Sequence, residues 1–490
     1  MLRCHLSSAA RRLSKCLVSR AWWEAETCLG RPYGKSTSMP SSNAVRRILP
    51  LPPIASLADF LITTRLRAWQ EQCLPLPPGC FLGGAPGTQP LDIASAATQM
   101  VEKGLDNRSM LSLAQGDVSK FYDSVSPRRV AVFLQRLGAD AGLILMMLLF
   151  QLTIGLCFIF KDVRAKLGPR SRGTLTGSRV AGAVGQIVIG DVMRHAGPLV
   201  RHLTLPMDVP LKFASWIDNV YACTDTETKA CRIVDQFGLV LRDRWGLQLK
   251  PGSKQVMSVR GQALAEEPPE GWERHEDFVI LGHIASHDGA IEADWQAACR
   301  SVWRRFWGGA GGRRGQGLHW RQRWSDVQRC CWPALAMRTG KWPWSDALGR
   351  RVDALQCRLL VFLQRERRHD GEDINAFIFR RARRAKASAI ELGLWSYAVA
   401  KRVATWKQHC FRDTASRGSW AVAALEWRNA AWLQDRRRQS SSRSIFAGRT
   451  DTRVAGGGFV RPRWETTVDD AARYADRVDV QRQAIQRTRS

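Results

Sequence analysis

The sequence predicts an α+β chain, a mixed sheet-and-helix domain followed by a largely helical one, and three observations predict it. From about Leu111 to Gly289, short apolar strand patterns alternate with amphipathic helical ones. No internal repeat of about 20 to 50 residues is visible, which excludes a solenoid or propeller. Beyond Asp294 strand signals fade, while Trp295, Trp303, Trp307, Trp320, Trp324 and Trp332 stand among Arg-rich, helix-favouring stretches. At 490 residues and 45% hydrophobic content the chain can bury a large core, enough for roughly two to four packed units.

Taken in order, the chain opens on a basic arm. Arg3, Arg11, Arg12, Lys15 and Arg20 precede the first acid, Glu24, a pattern similar to a mitochondrial presequence and equally to the arm of a nucleic-acid enzyme. Pro and Ser cluster at Pro40–Ser42 and Pro50–Pro53 before an apolar helix expected over Ile54–Trp69. The stretch Cys73–Pro90 is rich in Pro and Gly and reads as a loop leading into a helix near Leu91–Lys103. Ala141–Phe160 holds no charge over a length that could cross a bilayer. Ser126 and Pro127 nevertheless give an ordinary helix start, and Gln151, Thr153 and Gly155 interrupt the run, so a buried helix and then a short strand at LCFIF are expected, with no membrane span. The glycines of GGAGGRRGQG, Gly308–Gly317, mark a flexible basic loop in the helical part. From Asp435 and Arg436–Arg438 onward the chain is rich in Arg and Ser, then Gly, with one helix expected after Thr467 and the rest partly mobile.

Charge narrows the partners. The chain carries 74 Lys and Arg against 44 Asp and Glu, a formal +30, which exceeds what solubility needs and calls for a polyanion. The excess runs from Arg11 to Arg489 with Trp interleaved, a mixture suited to phosphates and stacked bases more than to a lipid surface. Thirteen Cys with no C-x-x-C pair read as reduced thiols of an intracellular protein. Neither Cys330–Cys331 nor His409–Cys410 has a second ligand pair at zinc spacing.

Two segments carry chemistry. In DVSKFYDSV, Asp117–Val125, the apolar Leu111, Leu113 and Val118 give strand character, and Gly116 lets the chain turn beside Asp117, which can then hold a divalent cation. Asp123 lies near a helix start, where a carboxylate serves the dipole. Tyr122 is either a core ring or a wall against the sugar of a nucleotide. In LKFASWIDNVYACTD, two β-favouring runs flank Asp218 and Asn219, which reads as a hairpin with a two-residue turn at Asp218–Asn219. Paired with Asp117, Asp218 gains a second meaning, because two carboxylates from neighbouring strands can share two Mg²⁺ or Mn²⁺ ions roughly 3.5 to 4 Å apart. One ion activates a primer 3′-hydroxyl and the other stabilises departing pyrophosphate.

The series DVSKFYDSV, RGTLTGS, WIDN, LQLKPGSK and FVILGH resembles, in order, the palm motifs of reverse transcriptases, nearest to those of non-LTR retrotransposons. The resemblance implies a right-hand polymerase architecture: fingers over 46–115, a palm with an antiparallel sheet packed on helices over 116–290, and a helical thumb over 291–434, between the arm of 1–45 and the tail of 435–490. It implies RNA-directed DNA polymerisation with Mg²⁺ or Mn²⁺ held by Asp117 and Asp218. Tyr122 matches the steric gate. Gly173, Gly177 and Ser178 match the loop that approaches template and nucleotide, with Thr176 where the family has Gln. Lys254 matches a proton donor to pyrophosphate, and Leu281 and Gly282 match the primer grip. Arg47 in VRRILPLPP stands in the place of a triphosphate-binding Arg, although Ile48 replaces the Pro that follows, and FLGGAPGTQPLD, ending at Asp92, resembles the next fingers segment.

The implied partners are an RNA template, a DNA primer and dNTPs, with no membrane. Asn219 replaces a commonly second Asp, which implies weaker Mg²⁺ binding and slower chemistry. About 45 residues precede the fingers match, fewer than the ~50 a compact domain needs, so a separate endonuclease is an expected partner. The expected location is intracellular and nuclear, with the mitochondrion as the alternative from the N-terminal arm. Two other readings stand beside polymerisation: a catalytically decayed polymerase fold that only binds nucleic acid, and a maturase-like splicing factor.

Overall fold

A computed structural model describes residues 28–34, 45–48, 51, 53–107, 111–152, 156–160, 163–167, 172–203, 213–259, 267–309, 311–312, 317–411 and 468–487. Its centre is a six-stranded sheet built from β3 (Cys80–Gly83), β4 (Ser112–Asp117), β7 (Phe213–Trp216), β8 (Asn219–Thr224), β9 (Gln255–Ser258) and β10 (Glu273–Arg274), in the order β10-β9-β4-β8-β7-β3. The four central strands are antiparallel, and each edge adds one parallel strand. Alternation along the strands sorts the side chains. Ala114, Val118, Val220, Ala222 and Val256 join a core against helices, while Leu113, Tyr221, Cys223 and Met257 face the other way.

The helical side consists of α1 (Pro53–Cys73), α5 (Ala141–Leu152), α6 (Arg179–Leu199) and α7 (Glu227–Trp245), with the short α3 (Phe121–Ser124) and α4 (Pro127–Arg136) beside them. The α6 helix is apolar almost all round, and is accordingly buried over most of its length. Ser126 caps α4, accepting from Arg129 N at 3.4 Å with Pro127 in the first turn, as the sequence predicts. The opposite side is covered by α2 (Pro90–Asn107) and a hairpin, β11 (Asp277–Ile280) and β12 (His283–Ser286). A separate four-stranded sheet pairs β1 (Cys28–Gly34), β2 (Val45–Ile48), β5 (Leu156–Phe160) and β6 (Val163–Leu167) in the order β2-β1-β5-β6.

The α+β expectation holds, and no strand follows β12 among the described residues. The rest is α8 (Glu292–Gly308), α9 (Trp320–Cys330), α10 (Trp332–Thr339), α11 (Asp346–Gln364), α12 (Ile374–Leu392), α13 (Trp395–Phe411) and α14 (Val468–Arg487), around a core rich in Trp342, Trp344 and Trp395. Asp294, in the first turn of α8, ties this core to the hairpin. It accepts from Ile284 N at 3.0 Å, from Trp342 Nε1 at 2.9 Å and from Arg338, and lies 3.1 Å from Lys341 Nζ. Burial opposes ionisation here, but Lys341, Trp342 and Arg338 together hold the carboxyl below its ordinary range. Among the described residues no helix is long and apolar enough to cross a membrane.

Four expectations change. The loop over Cys73–Pro90 contains β3, whose Phe81 and Leu82 are buried, because an edge strand needs only four residues and one partner, β7. The β3 strand and α2, expected in the fingers, are parts of the sheet and its cover. The helix after Thr467 is α14, but it packs into the helical core: Tyr474 OH lies 2.7 Å from Ser396 Oγ, and Tyr397 donates to Asp479 at 2.7 Å. The hairpin turn is Ile217–Asp218, since Asn219 already pairs with Trp216.

Candidate active site

The β4 and β8 strands bring the two acidic segments together. Asp117, last in β4, pairs with Asn219, first in β8, and Val118 N donates to the carbonyl of Asp218 at 2.7 Å. Asp218 itself occupies the second position of the β7–β8 turn. The first position is Ile217 at φ 57°, a backbone region costly for a β-branched residue.

The LQLKPGSK segment clamps Asp117 from the other side. Ser253 Oγ accepts from Asp117 N at 3.0 Å and Lys250 N donates to Asp117 O at 2.6 Å, while Ser253 Oγ donates to Lys250 O at 2.7 Å. Lys254 does not join them. Its ammonium lies 2.6 Å from Asp235 Oδ1 and over the ring of Trp272, and in strand register it shares the helical side with Val256, opposite Gln255. The expected proton donor is therefore occupied in an ion pair on α7, and it is the loop's backbone and Ser253 that serve Asp117.

Two phenols mark the field of the carboxylates. Tyr122, on α3, is pushed well up by burial and then by Asp218. Tyr221, buried on β8, is pushed up further by burial, Asp218 and Asp117. Both stay protonated, and Tyr122 lies within the field of Asp218. Gln115, paired with Tyr221 in register, donates Nε2 to Gln255 Oε1 at 2.6 Å, so the floor next to the acids is polar. Neither Tyr221 nor this amide pair is among the sequence-predicted residues. Strand alternation is the signal that finds them, since Gln115 and Tyr221 lie two residues from Asp117 and Asn219.

The donor set suits a hard cation: Asp117 and Asp218 are joined through the backbone, with Val118 N donating to Asp218 O at 2.7 Å, and Asn219 Nδ2 donates to Asp218 Oδ1 at 3.0 Å. Among the described residues no group of three or more His, Cys, Asp or Glu converges, so any ion here would rely on substrate phosphates and water to complete its shell, as Mg²⁺ commonly does.

The remaining residues are placed as follows. Gly173 at φ 82° and Gly177 at φ 103° shape the loop before α6. A Cβ on Gly173 would sit 2.9 Å from the carbonyl of Asp123, so this glycine is required by contact with the chain's own backbone. Ser178 is buried and caps α6, accepting from Ala181 N at 3.2 Å and donating to Asp59 Oδ1 at 2.8 Å. Asp59 also accepts from Arg179 N at 2.8 Å and Val180 N at 2.9 Å. The helix N-terminus that could receive a phosphate thus already holds the Asp59 carboxylate, and the Ser178 hydroxyl is engaged with it. Leu281 at φ 52° and Gly282 at φ 90° form the β11–β12 turn, the positive-φ pair of a tight hairpin. Arg47 falls in β2, and its side chain lies outside the described residues.

No protein-family model and no curated protein matches the chain. Among solved structures it is similar to apo telomerase from Candida tropicalis truncated from its C-terminal domain, at 9% identity and TM-score 0.36, covering 53% of this chain and 53% of that one. It is similar to telomerase from Candida albicans in complex with a TWJ fragment of telomeric RNA, at 10% identity and TM-score 0.36, covering 85% and 62%. It is also similar to the RNA-dependent RNA polymerase of a human picorbirnavirus, at 11% identity and TM-score 0.36, covering 82% and 65%. The chain spans between 53% and 65% of the length of these structures.

Proposed function

We propose that the chain is a nucleic acid polymerase of the two-metal kind, an RNA-directed DNA polymerase of non-LTR retrotransposon type. The observation that carries the reading is the junction of Asp117 with the β7–β8 turn: Asp117 pairs with Asn219, and Val118 N bonds to Asp218 O at 2.7 Å. In this reading Asp117 and Asp218 hold Mg²⁺ or Mn²⁺, which supplies activation of the primer hydroxyl and neutralisation of the leaving pyrophosphate. Tyr122, held beside Asp218, walls the sugar of an incoming dNTP. The β4–β8 ladder and the Ser253 clamp keep the acids in place before substrate arrives, which is the preorganisation such transfers depend on. The surplus of 74 basic over 44 acidic residues supports an RNA template and a DNA primer as partners.

The test is incorporation of labelled dTTP on poly(A)/oligo(dT) with Mg²⁺ or Mn²⁺. Loss of incorporation in Asp117→Asn and in Asp218→Asn is expected; incorporation that survives either change refutes the assignment. A second reading, a chain that binds nucleic acid without catalysis, is favoured by one specific observation: Asn219 stands beside Asp218 and no third carboxylate joins among the described residues. It predicts salt-sensitive binding with no incorporation in the unaltered protein.

A further inference from the structure

Helix α8 carries a surface strip that the catalytic reading leaves unused. Trp295, Ala298, Val302 and Phe306 set its buried side. Next to them around the helix, at spacings that align residues on one face, stand Arg300, Trp303, Arg304 and Trp307. The Trp303 and Trp307 rings lie 6.2 Å apart and within 20° of parallel. Phe362 of α11 stands edge-on to both, at 5.6 and 5.2 Å. Trp307 is 50% and Phe362 46% exposed, so the cluster offers apolar ring faces to the outside.

Charge says what those faces are for. Arg358 lies one turn before Phe362, and both Arg358 and Arg300 bring positive charge to the half-buried Cys299 thiol, which places them along the seam between α8 and α11. Arg351 is engaged by Glu292 at 2.9 Å and by the ring of Trp295 at 4.8 Å. Arg300, Arg304 and Arg358 form no ion pair among the described residues. Exposed rings alone would suit a protein as well as a base. Three uncompensated guanidiniums beside them select a polyanion that carries rings of its own.

We propose that this strip binds an unpaired polynucleotide strand, with bases stacked on Trp303, Trp307 and Phe362 and phosphates held by Arg300, Arg304 and Arg358. A duplex keeps its base faces stacked internally and cannot use the rings. Asp294, which meets the β11–β12 hairpin, opens the same helix, and Trp303 and Trp307 follow nine and thirteen residues later, roughly 14 and 20 Å along the axis at 1.5 Å per residue. The strip uses none of the residues assigned to the polymerase reading, and the inference stands whether or not the chain polymerises.

The experiment uses the full chain with short oligonucleotides carrying 5-iodouracil, as single-stranded DNA, single-stranded RNA and duplex. Photo-adducts are mapped by mass spectrometry, and affinity is read by fluorescence anisotropy across a salt series. Expected are adducts on Trp303, Trp307 or Phe362 from unpaired strands and not from duplex, and a loss of roughly tenfold or more in single-strand affinity in Trp307→Ala. The triple change Arg300→Gln, Arg304→Gln, Arg358→Gln is expected to flatten the log affinity versus log salt slope by about 2, at about 0.7 per phosphate. Adducts from both sugars identify a general single-strand site; adducts from RNA alone identify one that reads the 2′-hydroxyl, and either supports the proposal. Asp117→Asn, expected to be inactive as a polymerase, should retain this binding in full. The proposal is overturned by duplex adducts as strong as those of single strands. It is equally overturned by unchanged affinity in Trp307→Ala, or by light scattering that shows this variant dissolving a self-associated form, which would make the strip a protein interface.

Discussion

Replacing Asp59 by Ala removes the acceptor on which the first turn of α6 is built. The carboxylate is 2% exposed and receives Ser178 Oγ at 2.8 Å, Arg179 N at 2.8 Å and Val180 N at 2.9 Å. Two helix-start amides and a buried hydroxyl would lose their partner together, at roughly 1–3 kcal/mol for each donor left unsatisfied. The bond from Ala181 N to Ser178 Oγ at 3.2 Å is untouched and keeps one helix-start amide paired, so a net cost of about 3–5 kcal/mol is expected, the low end for three donors and the range for breaking a buried charged network. The cost falls on the turn from Gly173 to Ser178, and hydrogen exchange reads it locally. Amides of Arg179 and Val180 should exchange at least roughly a hundredfold faster, while those inside α7 keep their protection. Asp59→Asn keeps one acceptor oxygen and should fall between the two. In incorporation assays the KM for dNTP should rise more than kcat falls, since the turn borders Tyr122 through Thr174 N, which donates to Tyr122 O at 2.6 Å. Unchanged protection at Arg179 and Val180 in a folded Asp59→Ala protein would refute the reasoning.

Three further outcomes are expected. Ser253→Ala removes the side-chain acceptor of Asp117 N and should slow incorporation roughly fivefold, the factor that about 1 kcal/mol produces, with dNTP binding little altered; equal rates would show that the clamp is dispensable. Asn219→Asp replaces the amide bonded to Asp218 with a charge, and should lower the Mg²⁺ concentration needed for half-maximal activity, which a metal titration of both proteins checks. His283, buried in β12, is held down to about 3 from 6.5, first by burial and then by Lys341, with Arg338 and Arg402 adding to it against Asp294. A depressed folded-state value means that its contribution to stability is complete above 6.5 and is lost as pH falls toward 3. About 2 kcal/mol should disappear between neutral pH and pH ~5. Urea midpoints across that window should slope less in His283→Leu; identical slopes would assign the effect to other groups.

The parts of the site that follow local rules are legible in the sequence. Asp117 ends a strand because Leu113 and Val118 alternate around it, and Ser126–Pro127 starts a helix because a cap and a first-turn Pro define one. What is not legible depends on partners far along the chain. Asp59, an acid inside an apolar helix, has no local meaning until Arg179 and Val180 arrive at its oxygens. Lys254 sits in a recognisable motif, yet Asp235, nineteen residues earlier, takes its ammonium. The β3 strand hides among Pro and Gly because its β character comes from the ladder with β7 and not from its own composition.

The turn at Asp218 joins these two cases and explains how the acids are held. Local preference favours Asp218–Asn219 in the turn, but Asn219 is fixed by strands on both sides, opposite Trp216 and opposite Asp117. The positive φ therefore moves one residue back, onto Ile217. A β-branched residue remains there only if packing outweighs the cost, and packing does surround it: Gly84 and Gly185 have no side chains, and Cβ positions built on them would lie 3.5 and 3.7 Å from Ile217. Lys120, which precedes the helix carrying Tyr122, and Leu281, in the β11–β12 turn, are two of the other three non-glycine residues with positive φ among those described. Backbone strain thus collects at the three turns that carry Asp218, Tyr122 and the hairpin. Random loop irregularity would scatter it over the surface, whereas the proposed function asks for turns beside Asp117 and Asp218 that the surrounding fold does not let relax.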